Sequence, residues 1–432
     1  MPVHIKAFTV NNYRSCQHTS FQLNQGLSIL IGMNGSGKSN ILNAILLLKK
    51  LSKSKPRHGG HKQDLSLNKS NLVFKFIVNG KDVTYKAKIS YVNNPKNQQD
   101  IITAHESWNF KEVTGYAGWV ELPLNVLASI TTGKANEDPS LFLHRYYRYL
   151  RLGSSHRLRA IGFVPIDSLF GKKDKKGKKV FAVLREIHDF LSRINYYTAS
   201  QYTDPSESPA SFELQDNELL HQPFGYDPDH IRFLYDLYKS YAENSKAFSE
   251  YLSIVGRNGI GLIDTIKFPK IPIPSNEVEI RTGGKIVKRK VPREFVAPLF
   301  IVNNTKLSPN QLSEGTFRSL ALVFYLSTDR SRLLLVEEPE VCVHHGLLAS
   351  VIELVKSYAE KKQIVMSTHS DFVLDHVQPG SVFLVKNERG KGTTVRHLPK
   401  ALSNKGYIAL REYLSGTGNL GEYWRQTNFQ ND

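Results

Sequence analysis

The hydrophobic positions of this chain change period several times, and each change predicts an element. Near the amino terminus Ile5, Ala7, Phe8 and Val10 sit among polar residues ahead of Asn11-Asn12-Tyr13-Arg14-Ser15. That pattern predicts a strand ending in a polar turn. Phe21-Gln22-Leu23 predicts a second short strand, and Leu27-Ser28-Ile29-Leu30-Ile31 a buried one. Asn40 to Leu48 carries apolar residues at helical spacing. Leu51 to Gln63, rich in Lys, Gly and His, predicts a loop. Strand patterns return at Leu72–Val78 and Val83–Tyr91, joined by Asn79-Gly80-Lys81-Asp82. The Asn-Gly step is a strong hairpin signal.

From Val120 to Phe295 the pattern is mostly helical, as at Leu184–Leu191 and Ile231–Tyr238. Within its last part, Val278-Glu279-Ile280 and Ile286-Val287 flank Gly283-Gly284, which predicts a hairpin, and Leu299–Val302 predicts a further strand. Then come a helix over Thr316–Leu326, a buried strand Leu333–Val336, a helix over Gly346–Glu360, and strands Ile364–Ser367 and Val382–Val385. Strands alternating with helices predict a mainly parallel α/β sheet. No sustained heptad and no solenoid-length repeat interrupts this order.

Between the strand at Leu27–Ile31 and the helix from Asn40 lies Gly32-Met33-Asn34-Gly35-Ser36-Gly37-Lys38-Ser39. Two glycines separated by four residues and followed by Lys-Ser form a phosphate-loop pattern, here in the strand–turn–helix context that the pattern needs. Glycines allow backbone N–H groups to converge on phosphate oxygens, and the following helix offers its positive end to the same anion. Lys38 would reach the terminal phosphates and Ser39 would ligate Mg²⁺. A Gly-rich surface turn is the bland alternative, and both flanking elements argue against it.

The second candidate segment is Leu335-Val336-Glu337-Glu338-Pro339-Glu340, an apolar strand that delivers carboxylates to its carboxyl end, where ligands of α/β sheets bind. Glu337 is placed to hold the Mg²⁺ shell and Glu338 to polarise an attacking water. His369, in Ser367-Thr368-His369-Ser370 at the end of the next strand, is placed to touch a γ-phosphate. In Leu312-Ser313-Glu314-Gly315-Thr316, Ser313 can cap a helix whose free N–H groups also suit a phosphate.

A length of 432 residues allows two or three domains, and 40% hydrophobic with 10% aromatic content fits a folded protein. No apolar run approaches the ~20 residues of a membrane helix. The amino terminus lacks a signal-peptide layout, and Cys16 and Cys342 are the only cysteines, so the chain reads as cytoplasmic. The net charge of +18 favours polyanionic partners, and part of it would serve a bound nucleotide. Arg145, Arg148 and Arg151, interleaved with Tyr146, Tyr147 and Tyr149, would share a helix face that suits nucleic acid, unless the tyrosines are core. Lys172 to Lys179 read as an exposed loop, either solvated or a phosphate-contacting finger.

Six segments in this order resemble the ABC-type ATPase superfamily, in the branch with RecF, the SMC and break-repair heads, and the OLD-like ATPases of bacterial defence. They are Asn12–Ser15, the loop from Gly32 to Ser39, the signature Leu312–Thr316, Glu337–Glu340, the His344 turn, and His369. The resemblance covers both ends of the chain and leaves its middle poorly matched. It implies an ABC-type head with a mixed or parallel sheet, an antiparallel β lobe over the nucleotide and a mostly helical insertion. The halves would be 1–119 and 296–432, with the insertion at 120–295. ATP and Mg²⁺ would be the cofactors, held by Arg14, Asn34, Gly35, Ser36, Gly37, Lys38, Ser39 and Asn40, with Ser39 and Glu337 on the metal. Two copies would sandwich ATP, so that Ser313 and Gly315 of one meet the nucleotide on Lys38 of the other, with Val341–His345 along the seam. Glu338 and His369 would be catalytic.

Three residues or segments depart from that pattern. Glu337 stands where many relatives carry Asp, the turn reads Val343-His344-His345 where Leu-His-Pro is frequent, and only Gln98 and Gln99 offer themselves by position as the Mg²⁺-sensing glutamine. The signature differs from the Leu-Ser-Gly-Gly-Gln of transporter motors. Missing heptads argue against SMC arms, and the short tail after Val385 leaves no room for a TOPRIM nuclease. The expected role is an ATPase subunit resembling those of two-component antiphage systems (Septu, PARIS or retron-associated), which acts as sensor and scaffold for a separate nuclease or toxin. The alternative is a RecF-like repair ATPase that binds DNA directly, and a third option is an ATP-binding scaffold with negligible turnover.

Overall fold

The computed structural model describes residues 3–53, 69–94, 99–115, 117–122, 164–165, 175–215, 218–219, 227–281, 285–328, 331–341, 343, 345–416 and 418–427. The expected Lys/Gly/His loop beyond Lys53, the arginine–tyrosine face at 145–151, Gln98, Cys342 and His344 lie outside them. The chain forms two compact units. The first holds residues 1–196, 330–337 and 356–432, and the second holds 197–329 and 338–355.

In the first unit, strands β1 (Val3–Tyr13), β2 (Cys16–Gln22), β4 (Asn71–Val78), β5 (Lys81–Asn94), β6 (Gln99–Asn109), β7 (Val120–Glu121) and β8 (Val164–Pro165) form one sheet in the order β2-β1-β4-β5-β6-β7-β8. Its pairs from β2 to β7 are antiparallel, as the expected β lobe requires. Asn79 and Gly80 turn β4 into β5 with φ of 50° and 80°, and Val78 pairs with Lys81. Two left-handed residues in a two-residue loop make the type I′ turn that Asn-Gly favours. In β1 a register shift between Ile5 and Ala7 changes the pleat phase, so that Ile5, Phe8 and Val10 all reach the core although their spacing is uneven.

The second sheet of this unit has the order β20-β19-β3-β18-β17-β9. Its strands are β3 (Leu27–Ile31), β17 (Leu333–Glu337), β18 (Gln363–Thr368), β19 (Val382–Glu388), β20 (Gly392–His397) and, at the edge, β9 (Ile194–Thr198). The neighbours β19, β3, β18 and β17 are parallel, and β20 returns antiparallel to β19. The run Leu333–Val336 is buried throughout, as a parallel strand covered on both faces should be. Helices α1 (Lys38–Lys53) and α2 (Lys175–Ser192) add Ile41, Ile45, Leu48, Leu184, Ile187 and Leu191 to a core shared with both sheets. Phe74 stacks on Phe8, and Phe76 lies between Trp108 and Phe190. Gln363, fully buried, accepts from Ile5 N at 3.0 Å and donates to Ile5 O and Asn24 O at 2.8 Å each.

Lys175 to Lys179 belong to the first turns of α2, which corrects the reading of that lysine stretch as a loop. Val180, Leu184, Ile187 and Leu191 continue one buried stripe, and lysine is a good helix former, so the helix extends upstream into the basic run.

The second unit contains helices α3 (Pro228–Ala242), α4 (Lys246–Val255), α5 (Glu314–Thr328) and most of α6 (His345–Ala359). Asp227 caps α3 by accepting from the N–H groups of Asp229 and His230, with Pro228 at the first position. Tyr202, His230, Phe233, Phe317, Phe324 and Tyr325 form its aromatic core. Two small sheets complete the unit. One has the order β11-β10-β14-β13, from β10 (Phe212–Gln215), β11 (Glu218–Leu219), β13 (Lys270–Arg281) and β14 (Lys285–Val296). The other has the order β12-β15-β16, from β12 (Thr265–Lys267), β15 (Leu299–Val302) and β16 (Thr305–Leu307). The hairpin expected around Gly283-Gly284 is present as β13–β14, paired from Lys270↔Val296 to Arg281↔Lys285. The stretch expected to be mostly helical therefore also contributes strands. The first unit also contains α7 (Asp371–Asp375), α8 (Asn404–Ser415) and α9 (Leu420–Thr427).

Candidate nucleotide site

Parallel register aligns the carboxyl ends of three strands in the first unit. Glu337 pairs with Ser367, Ser367 with Leu30, and Thr368 with Ile31. Gly32 and His369 are thus the residues that follow β3 and β18 at the same edge. This edge is where open α/β sheets bind ligands, because the loops there begin helices whose amino ends face the crevice.

Gly32 to Gly37 cross from β3 to α1. Gly35 and Gly37 have φ of 79° and 103°, a region that residues with a Cβ rarely adopt. A Cβ on Gly32 would stand 2.2 Å from Val385 O, and one on Gly37 would stand 2.0 Å from Thr393 Oγ1. A Cβ on Gly35 would meet nothing within 4 Å. Close packing therefore demands glycine at 32 and 37, turn geometry demands it at 35 and 37, and Gly37 answers to both. Lys38 is 4% exposed, and its Nζ donates to Gly32 O at 2.8 Å and Met33 O at 3.3 Å. Its ammonium is held across the mouth of the loop. Ser39 and Asn34 are exposed, and Asn40 is half-buried.

Arg14 is exposed, in a left-handed turn at φ 50° between β1 and β2. Its guanidinium lies over the Tyr13 ring and its Nη1 donates to Asn40 Oδ1 at 3.4 Å. Glu337 is half-buried at the end of β17 and accepts a short hydrogen bond from the Tyr196 hydroxyl on β9. His369 is exposed just beyond β18, and Ser370 N donates to Thr368 Oγ1 at 3.0 Å.

The first unit thus brings together the loop residues 34–40, Arg14, Glu337 and His369. Glu338, Ser313 and Gly315 belong to the second unit. There Ser313 is exposed at the start of α5, and its Oγ accepts from Thr316 N at 3.3 Å, so it caps the helix as expected. Behind the cap, Arg318 is buried and its Nη2 donates to Glu314 Oε1 at 2.5 Å. Glu338 adopts φ 44°, a left-handed conformation that costs a residue with a Cβ about 1–3 kcal/mol. Gln99 lies in β6, well separated in sequence from the loop.

A triphosphate with Mg²⁺ fits this donor set. Ser36 Oγ in the loop and Ser367 Oγ in β18 are buried without a hydrogen-bond partner, which is costly unless a polar group arrives. The Ser39 hydroxyl and the Glu337 carboxylate are hard oxygen donors of the kind Mg²⁺ takes alongside phosphate and water. Among the described residues no three or more His, Cys, Asp or Glu side chains form an all-protein metal cluster.

Tyr196, Ser15 and Thr393 contact the candidate residues without having been singled out as ligands. Ser15 stands inside the recognised Asn12–Ser15 segment. Tyr196 and Thr393 lie in short strands with no motif around them, so spacing gave no signal for them.

A family model described as an AAA ATPase domain matches residues 4–222. That is half of the chain, and the chain belongs to this family of ATPase domains. A second model, described as an AAA domain, putative AbiEii toxin, Type IV TA system, matches residues 177–375. The chromosome partition protein Smc of Desulfitobacterium hafniense is 33% identical over 73 residues, which is 17% of this chain and 6% of that protein. The Smc head of Pyrococcus furiosus with an extended coiled coil, bound to the C-terminal domain of ScpA, is 12% identical, covering 96% of this chain and all of that one with a TM-score of 0.43. The SMC head of Thermotoga maritima is 12% identical, covering 91% of this chain and 98% of that one with a TM-score of 0.42. Neither of these two likenesses supports a shared fold or role. The reading of the chain as an ATPase domain is borne out at the level of the family, and the α/β class by the mixed sheets. Among the described residues no helix is long and apolar enough to cross a membrane.

Proposed function

We propose that this chain is an ATP-driven switch in which two copies close around ATP and thereby control a separate nuclease or toxin in antiphage defence. The observation that carries the ATP part is the loop at Gly32–Ser39, whose Gly32 and Gly37 are required by close contacts and whose buried Ser36 hydroxyl lacks a partner. Loop amides and Lys38 would bind the β- and γ-phosphates, and Arg14, Asn34 and Asn40 would flank them. Ser39 and Glu337 would hold Mg²⁺, which neutralises charge on the phosphate oxygens. Glu338 would orient water and take up its proton, and a carboxylate needs only position for that task. His369 would hydrogen-bond the γ-phosphate. Ser313 and Gly315 of the second copy would close the site with the amino end of α5.

The effector role is supported by the match of residues 177–375 to a model whose description names a toxin. The direct test of the switch is mixing. Lys38→Ala abolishes tight ATP binding, and Glu338→Gln preserves it and traps an ATP-bound dimer. A Lys38 variant mixed with a Ser313 variant regains part of the activity, because the mixed pair holds one intact site. Failure at every mixing ratio would refute sharing between copies. Purification with the products of neighbouring reading frames, then nuclease assay with and without ATP, tests the effector. The net charge of +18 favours a second reading, direct DNA binding of RecF-like type. Strongly salt-dependent DNA binding by the isolated chain, with stimulated ATPase, would select it.

A further inference from the structure

A line of side chains runs behind the phosphate loop. Arg14 Nη1 donates to Asn40 Oδ1 at 3.4 Å, which turns the Asn40 amide nitrogen toward Ser15. Asn40 Nδ2 then donates to Ser15 Oγ at 2.6 Å. Ser15 Oγ and Thr393 Oγ1 are 2.8 Å apart, and Thr393 Oγ1 donates to Ser36 O at 3.1 Å. The order of protons follows from the two ends. Ser15 Oγ already accepts from an amide and Thr393 Oγ1 already gives its proton to a carbonyl, so the Ser15 hydroxyl donates to Thr393. Each hydroxyl accepts one bond and donates one, all in the same direction, and such chains polarise themselves. Thr393 is fully buried and fixed from both sides, its N donating to Ser15 O at 2.8 Å and its O accepting from Thr19 Oγ1 at 2.5 Å.

We infer that Thr393 is a positioning residue for phosphate binding, acting through the Ser36–Gly37 peptide. In a trans peptide the C=O and N–H point to opposite sides. With Ser36 O held against Thr393, the Gly37 N–H is turned away from Thr393, toward the concave side of the loop. The bond to Ser36 O also makes that N–H a better donor. Gly37 must lack a side chain for the same reason, since a Cβ there would occupy the place of the Thr393 hydroxyl. The hairpin β19–β20 is thereby part of the anion cradle, although it carries no phosphate-loop residue. This inference rests on the reading of Gly32–Ser39 as a phosphate loop.

The test measures binding of the non-hydrolysable analogue AMP-PNP, and of adenosine as a phosphate-free probe, to the full chain and its variants. Thr393→Val keeps the shape and removes the hydroxyl. It weakens AMP-PNP by about tenfold, the worth of one hydrogen bond, and leaves adenosine affinity unchanged. Thr393→Ser restores AMP-PNP binding to within about twofold, since the hydroxyl returns. Ser15→Ala, which cuts the chain one bond upstream, weakens AMP-PNP by about threefold and serves also if Thr393→Val does not fold. Unchanged AMP-PNP affinity in both variants overturns the inference, as does an equal loss for adenosine, which would mark a structural role only. Absence of AMP-PNP binding in the unaltered chain overturns the phosphate-loop reading instead, so the two failures are told apart.

Discussion

Substituting the loop glycines one at a time separates packing from backbone strain. In Gly35→Ala the new methyl meets no atom within 4 Å, so the only penalty is the left-handed φ of 79°. That strain is about 1–2 kcal/mol, or roughly 5- to 30-fold if all of it falls on affinity. In Gly37→Ala the same strain applies at φ 103°, and the methyl is driven within 2.0 Å of Thr393 Oγ1 and 2.9 Å of Ser15 Oγ. Overpacking of that kind adds about 1–3 kcal/mol, so the total is about 2–5 kcal/mol. The cost divides between thermal stability and phosphate affinity, depending on whether the core or the loop yields. Because Thr393 is pinned on both sides, the loop yields, and most of the loss falls on affinity. Titration calorimetry with AMP-PNP, paired with thermal melts of the nucleotide-free protein, reads both parts. The expected ranking is a modest loss for Gly35→Ala and roughly 30-fold or more for Gly37→Ala. Equal damage from the two substitutions, or a Gly37→Ala protein that binds like the parent, would refute the argument from close contact.

Tyr196→Phe removes the hydroxyl donated to Glu337 and keeps the ring; the Mg²⁺ concentration for half-maximal ATP binding should rise by about tenfold, and an unaltered Mg²⁺ titration would exclude a role for that bond. Gln363→Leu strands buried groups of Ile5 and Asn24 that three hydrogen bonds now satisfy, so a stability loss of about 3 kcal/mol or more is expected in chemical denaturation, against the few tenths of a surface substitution. Burial pushes the Cys16 thiol above its ordinary pKa, so its thiolate is scarcer at any given pH than that of an exposed cysteine; in the native protein at pH 8 it should resist iodoacetamide and react on unfolding, as peptide mass spectrometry would show.

How far the chain could be read depended on the range of the interaction. The β3–loop–α1 unit, the Asn79-Gly80 turn and the buried strand ahead of Glu337 follow from local rules, and each was legible from period and turn chemistry alone. The Ser313 cap was equally local. The start of α2 was not, because a run of lysines scores as solvated whether it is loop or first helical turn, and the buried stripe that decides the matter begins only at Val180. The phosphate loop was legible as a candidate because a phosphate imposes fixed residue types at fixed spacing, Glu337 and His369 because they stand at strand ends, and Arg14 only through the family resemblance.

What the sequence left hidden is the layer that holds those candidates. Thr393 reaches Ser36 across 357 positions, Ser15 reaches Thr393 across 378, and Tyr196 reaches Glu337 across 141. A hydroxyl at such a separation has no periodicity and no required neighbour, since threonine and tyrosine are ordinary strand residues. Only the sheet order, which sets β20 beside β19 and β9 beside β17, brings these hydroxyls to the site. The same sheet order ties the two kinds of residue together physically. The carbonyls of the loop are held partly from within, by Lys38 on Gly32 O and Met33 O, and partly by Thr393 on Ser36 O, from a strand near the far end of the chain. A phosphate loop grafted without that strand should therefore keep its motif and bind phosphate about tenfold more weakly, which is why the hydroxyl of Thr393, rather than any further glycine, is the decisive position for testing how this site is built.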